Sequence, residues 1–380
     1  MPLCETGMNT TCKFLYFIRL LCIILAGDGR ITSIINLGDI MRILVIFTGG
    51  TIGSTENGSY VSPDKEKPYK LINMYKKLAI KNKGSSSVIF DILTPYQALS
   101  ENINCNNFRI LSECLEKVDE NAYDGVIITH GTDTLQYTAA FTGYIMAGAQ
   151  IPIVLVSANY VLEDVRSNGV DNFYYAVEFI CHKKGRGAFV SYRNIGDYPK
   201  IHRAARLVMH QAYSDSIYSI CDSYYGYFDK EKFIYNNKYY LNDNIKYNGT
   251  KMFNVPSGSW QSGIMEVHPY PGMEYMLPKN GIKAVLHYTY HSGTICSTTP
   301  GLKEFAEYTK SRGIPVFITG AGLGADYESV GCYKDFGFYV LPAASPEAMY
   351  IKLWLCIINN EDTAGIAEIM QVPVADDIYA

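Results

Sequence analysis

The chain lacks the usual marks of several protein classes. Its ten cysteines include no CxxC pair and no Cys/His cluster at metal-ligand spacing. In 380 residues, that argues against a disulfide scaffold and a zinc centre, and a reducing cytoplasm becomes the expected setting. No charge of one sign dominates either. The formal net charge is −4 and no basic stripe stands out, so nothing indicates a nucleic-acid partner. The apolar run Phe14–Ala26 is interrupted by Arg19 and falls short of the roughly 20 residues that a spanning helix needs. Internal repeats and low-complexity tracts are also missing.

What is present suits a large packed protein. Apolar residues make up 48% of the chain, and the length suggests about two domains at ~150 residues each. The 32 tyrosines read as compositional bias with some surface aromatics. Residues 1–40 differ from the rest. Lys13 before the apolar run and Ala26-Gly27 after it imitate a weak secretory signal. The favoured reading is an upstream read-through or disordered extension before a natural start at Met41, with a signal peptide or interfacial anchor as the alternative. From Met41 onward, strand and helix patterns alternate. Buried-strand runs occur at 42–47, 88–93, 125–129, 152–157 and 187–191, with helical patterns between most of them. The expected fold class is α/β. A larger N-terminal domain, 41–245, carries a mainly parallel sheet in Rossmann-like layers; a connection follows at 246–262, then a smaller C-terminal α/β domain at 263–380. Glu56–Lys70 reads as a mobile loop. The last helix is expected to start at Ser345 as N-cap, with Pro346 at the first helical position.

The chemistry concentrates in two turns. Arg42–Phe47 is a buried strand running into Thr48-Gly49-Gly50-Thr51. The glycines permit a sharp turn and close approach of a ligand, at the carboxyl end of a strand where open α/β sheets bind. Gly125–Thr129 runs likewise into His130-Gly131-Thr132-Asp133-Thr134 and then a helical pattern. If the two strands are neighbours, both turns open at one edge. Thr51, Thr132 and Asp133 then reach one small ligand, beneath a helix amino end that favours an anionic group or a developing oxyanion. Taken singly, each turn also reads as ordinary helix capping.

The pair of turns resembles the two signature motifs of the bacterial-type L-asparaginase/glutaminase family. The resemblance covers about residues 41–380 and includes the polar loop after the first motif and the His268–Gly272 segment (HPYPG) entering a second domain. It implies an asparaginase-like fold, a homodimer or homotetramer, and hydrolysis of a side-chain amide through an acyl-enzyme without metal or cofactor. Thr51 is similar to the family's nucleophile, Tyr60 to the tyrosine that closes over the substrate, and Thr132 to the second catalytic threonine. Asp133 matches the aspartate that holds the substrate ammonium. Gly50, Ser100, Glu101 and Gly131 fall at substrate-binding positions, with Glu101 where many members have glutamine.

One position departs from the pattern. The resemblance requires a lysine after the fourth strand, and Pro199–Arg206 places Arg203 there, with Lys200 three positions early. Arginine stays protonated and cannot shuttle a proton as lysine can. The expected function is therefore an amidohydrolase acting on L-asparagine, or alternatively L-glutamine. An impaired amino-acid-binding protein on the same fold is the second hypothesis. A third is a dinucleotide enzyme using Gly320–Ala325, which matches GxGxxA without the required helix and acidic partner. His291–Thr294 reads equally as a plain turn or as a contribution to a neighbouring subunit's site.

Overall fold

A computed structural model describes residues 40–57, 60–64, 66–82, 84, 87–240, 251–256, 258–321 and 327–379. All but the last residue of the extension expected over residues 1–40, and most of the Gly320–Ala325 motif, lie outside the described residues. Fourteen strands carry labels in chain order. In the first half they are β1 (Met41–Phe47), β2 (Ser54–Asn57), β3 (Tyr60–Pro63), β4 (Val88–Leu93), β5 (Gly125–Thr129), β6 (Pro152–Val156), β7 (Gly187–Arg193), β8 (Pro199–Arg203), β9 (Gly226–Asp229) and β10 (Lys232–Tyr235). The second half adds β11 (Ile264–Val267), β12 (Ala284–Tyr288), β13 (Val316–Thr319) and β14 (Tyr339–Val340). The helices that matter here are α1 (Lys67–Asn82), α2 (Cys105–Leu115), α3 (Leu135–Ile145), α4 (Gly169–Cys181), α5 (Leu302–Ser311) and α6 (Pro346–Ile358).

The first sheet has the order β10-β9-β8-β7-β6-β5-β1-β4. From β4 to β7 it is parallel, and β8 to β10 turn antiparallel. β1 and β5 are buried almost throughout, as parallel strands covered on both faces must be. The chain leaves β1 toward β4 and leaves β5 toward β6, so connections diverge between these two neighbours. That crevice is the topological switch point of the sheet, where such folds place ligands.

The second sheet is parallel, in the order β11-β12-β13-β14. Both sheets share a core through α3 and α6. Phe141 and Tyr144 of α3 pack with Phe253, Trp260, Leu286, Met349 and Trp354. α3 is a buried helix: every residue of it but Tyr137 is buried, with Gln136, Thr138 and Thr142 among them. The C-terminal segment locks this packing. Asp377 accepts from Lys352 Nζ at 2.9 Å and from the Tyr144 hydroxyl at 3.0 Å, all three side chains lying within the core. Ser345 caps α6 and Pro346 opens it, as its sequence indicates.

Two segments differ from the sequence reading. Glu56–Lys70 is not simply a loop: β2 and β3 pair antiparallel with Asn57 opposite Tyr60, which satisfies backbone groups the polar sequence leaves open. β8 is a strand that its sequence did not announce, because its polar residues alternate within an already formed sheet. The tyrosines include surface aromatics, such as Tyr69 and Tyr213, alongside buried ones. Tyr75, Tyr144, Tyr192 and Tyr333 are among the largest fully buried side chains. Tyr225 and Phe233 build an aromatic cluster with Phe179 and Phe189 under β9 and β10. Among the described residues, no helix is long and apolar enough to cross a membrane.

Candidate active site

β1 and β5 pair with Phe47 opposite Thr129, so the turns after them start side by side. Two of the four threonines in these turns act as straps. The Thr48 hydroxyl donates to the Thr129 carbonyl, and the Thr134 hydroxyl donates to the Ser100 carbonyl at 2.9 Å. The other two, Thr51 and Thr132, are half-buried. Among the described residues, neither hydroxyl is engaged in a hydrogen bond. The fold thus divides the four into two joints and two available nucleophile-type oxygens.

Backbone contact brings the turns together. Gly49 and Gly50 hold φ of 113° and 76°, a region that favours glycine. A Cβ on Gly50 would stand 2.2 Å from the Gly131 nitrogen, and one on Gly131 would stand 2.4 Å from Ser100 Oγ. Gly50, Gly131 and Ser100 therefore converge, and Thr51 and Thr132 each follow a glycine of that contact. Ser100, buried, donates to Asp133 Oδ2 at 3.0 Å. Glu101 is exposed in the 3-10 turn Ser100–Asn102. Tyr60 opens β3, on the hairpin that grows out of the Thr51 turn.

A cavity of about 490 Å³ opens beside this contact, lined by Thr132, Asp133, Gln136 and Tyr137 and by the segment Met209–Asp215. Its size suits a small ligand. Thr132 is part of the lining and Thr51 is not; the Gly50–Gly131 contact ties Thr51 to its rim. α3 presents its amino end here, with no side-chain cap on Thr134, so a partial positive charge faces the cavity. His130 lies beneath, fully buried, its Nδ1–H donating to the Gly131 carbonyl at 2.8 Å. Burial pushes its pKa down to about 4, which keeps the ring neutral and the turn rigid.

Arg203 does not join this group, contrary to its sequence register. It pairs with Phe189, two residues down β7 from Ser191, whereas Ser191 is level with Val156, Thr129 and Phe47. Its guanidinium donates to the Arg186 carbonyl at 2.7 Å, sits 3.4 Å from Asp376 Oδ2 and covers the Phe189 ring. It lines a different cavity, of about 620 Å³, at the amino-terminal edge of the sheet with Lys183, Arg186 and Tyr225. That cavity is larger but far from both threonine turns. Lys200 does stand at the carboxyl edge, opposite Tyr192, with its Nζ 2.6 Å from Asp197. The residue that sequence reasoning missed is His210, which lines the same cavity as Thr132. A lone histidine in an aperiodic polar segment gives no pattern to notice. His291–Thr294 forms a compact turn closed by Tyr290 N–H to the Thr294 carbonyl at 2.8 Å.

The family model described as asparaginase, N-terminal, matches residues 42–240. The chain belongs to the asparaginase family. This asparaginase-family chain is 27% identical to a glutamyl-tRNA(Gln) amidotransferase subunit of Sulfurisphaera tokodaii over 87% of its own length and 73% of that protein's. It is 30% identical to an L-asparaginase of Thermococcus kodakarensis over 40% of this chain and 44% of the relative. The fold matches the thermostable L-asparaginase from Thermococcus kodakarensis with a TM-score of 0.70, at 21% identity, across 90% of this chain and all of that one. As an asparaginase-family fold, it has the mixed large sheet and second parallel sheet described above.

Proposed function

We propose that this family member hydrolyses the side-chain amide of L-asparagine, and of L-glutamine as a second substrate, to the acid and ammonia. Thr51 attacks the amide carbon, Thr132 assists at the attacking oxygen, and Asp133, held by Ser100, grips the substrate ammonium. Backbone N–H groups near these glycines and the amino end of α3 stabilise the tetrahedral oxyanion. Tyr60 closes from the hairpin, and Glu101 borders the substrate. The enzyme works without metal or cofactor, in the cytoplasm, as a homodimer or homotetramer whose domains divide at 246–262. The observation that carries this reading is the division of labour among the threonines. Among the described residues, Thr48 and Thr134 have spent hydroxyls while Thr51 and Thr132 have free ones, at adjoining turns.

A second reading rests on the relatives. Those matched over most of this chain are named as glutamyl-tRNA(Gln) amidotransferase subunits, so the same site could release ammonia from glutamine for a partner enzyme. Ammonia release with asparagine and with glutamine separates the two. Thr51→Ala is expected to lower kcat by at least ~100-fold while isothermal titration still detects L-aspartate. A Thr51→Ala variant as active as the wild type would end the nucleophile assignment, and a wild type that binds but never turns over would leave an impaired binding protein.

A further inference from the structure

The proposed reaction moves protons at every step, yet Arg203 cannot shuttle them and is engaged with Asp376, and Lys200 is engaged with Asp197. A third group stands in the cavity itself. His210 shares the cavity lining with Thr132 and Asp133, and its Nε2 is buried without a hydrogen-bond partner among the described residues. A buried polar nitrogen left unpaired costs free energy, and such sites cluster where a ligand or a proton completes them. We infer that His210 is the proton-transfer base of this site, in the role for which a lysine was sought along β8. The inference rests on the amidohydrolase reading above.

The surroundings fit that role. Asp133 on the α3 turn and Asp215 on the same segment favour the protonated ring, as do backbone groups of Ser214 and Ser216. Burial opposes them and is the larger effect, so the pKa is lowered. The ring is therefore neutral at pH 7 yet can be protonated transiently, as a general base needs to be. Tyr137 and Tyr213 complete the facing titratable groups. Buried Glu347, at the head of α6, receives a hydrogen bond from the Met209 backbone and so fixes the segment one residue before the ring.

The chemistry balances. As the Thr51 oxygen bonds to the amide carbon, its proton passes to the Thr132 hydroxyl, which gives its own to the imidazole across the shared cavity. The tetrahedral intermediate collapses, the C–N bond breaks, and the departing nitrogen takes that proton to leave as ammonia. Water then attacks the ester and gives a proton to the imidazole. The C–O bond to threonine breaks, and the proton returns to the threonine oxygen.

The test is the pH dependence of asparagine and glutamine hydrolysis by the full chain and by His210→Gln. The variant is expected to lose ~100-fold in kcat with KM changed less than about threefold, and to lose the rising acid limb of the pH profile. His210→Ala should regain at least tenfold with added imidazole, which a merely structural role would not allow. If His210→Gln keeps kcat within threefold and keeps the limb while Thr51→Ala is inactive, the inference falls and the amidohydrolase reading stands. If the wild type releases no ammonia from either amide, both fall together. Should His210→Gln misfold, the wild-type imidazole resonance decides by NMR. It must shift when L-aspartate is added, and an unresponsive resonance overturns the inference.

Discussion

At the scale of single residues, four threonines of one type have two fates, and hydrogen bonding decides which. Sequence marks Thr48 and Thr51 as equivalent neighbours of a glycine pair, and Thr132 and Thr134 as equivalent neighbours of Asp133. Only the packing of β1 beside β5, and of Ser100 under the second turn, assigns them. Thr48→Val should therefore cost about 1–3 kcal/mol of stability, because the buried Thr129 carbonyl loses its donor, while kcat stays within a few-fold. Thermal melts combined with ammonia-release kinetics check this. A Thr48→Val enzyme that is fully stable but inactive would mean that the straps and the nucleophile have been exchanged. The same scale explains the failure at Arg203. Its register was counted from sequence across a hairpin whose length no periodic pattern fixes, and a slip of a few residues along an antiparallel pair moves a side chain from one sheet edge toward the other.

At the scale of elements, what can be read in advance is the run of buried strands, since an all-apolar stretch with glycine punctuation has few alternatives. β1, β5, β6 and β12 stand where their sequences place them, as does the capped start of α6. The elements that escaped reading, the hairpin β2–β3 and strand β8, carry mostly polar residues, so no buried apolar run announces them although each pairs with a strand close by in the chain. Strand β8 forms against the edge of β7, and the hairpin β9–β10 extends the sheet from β8 over an aromatic layer, whereas the hairpin β2–β3 is a two-stranded sheet of its own. The joint between the two turns belongs to this scale as well, because it is backbone meeting backbone and no side-chain pattern encodes it. Gly50→Ala tests it directly. The added methyl has no space at 2.2 Å from the Gly131 nitrogen and no comfortable conformation at φ 76°. The turns must part, so stability should fall by about 1–3 kcal/mol or more and kcat by over tenfold. Gly53→Ala, where a Cβ meets nothing within 4 Å, serves as the control. Equal, mild effects of both substitutions would show that the joint does not hold the site.

At the scale of the whole molecule, both sheets share one core, so their stability should respond to acid as a unit. Three buried histidines report on this. Burial pushes the pKa of His130 down to about 4, that of His202 to about 3 and that of His287 to about 4. They lie at the first sheet's turn, on β8 and on β12 of the second sheet. In the unfolded chain each titrates near 6.5. Below that value the unfolded state gains protons that the folded state refuses, so stability falls as pH drops from about 6.5 toward 4 and is undiminished above it. At pH 5 each ring costs about 2 kcal/mol, and the three together about 6 kcal/mol, against a total near 5–15 kcal/mol for a protein of ordinary stability. Glu347 works in the opposite direction, since burial raises its pKa and protonation relieves it, but it is one group against three. Urea unfolding followed at pH 7 and pH 5, by tryptophan fluorescence and by far-ultraviolet circular dichroism, should therefore show one coincident transition whose midpoint moves sharply down at pH 5. Both tryptophans, Trp260 and Trp354, sit in the core between the sheets, so fluorescence reads the shared layer while dichroism reads both halves. A midpoint that does not move would mean that these rings are already protonated when folded. Two separate transitions would mean that the layer between the sheets opens before either sheet unfolds.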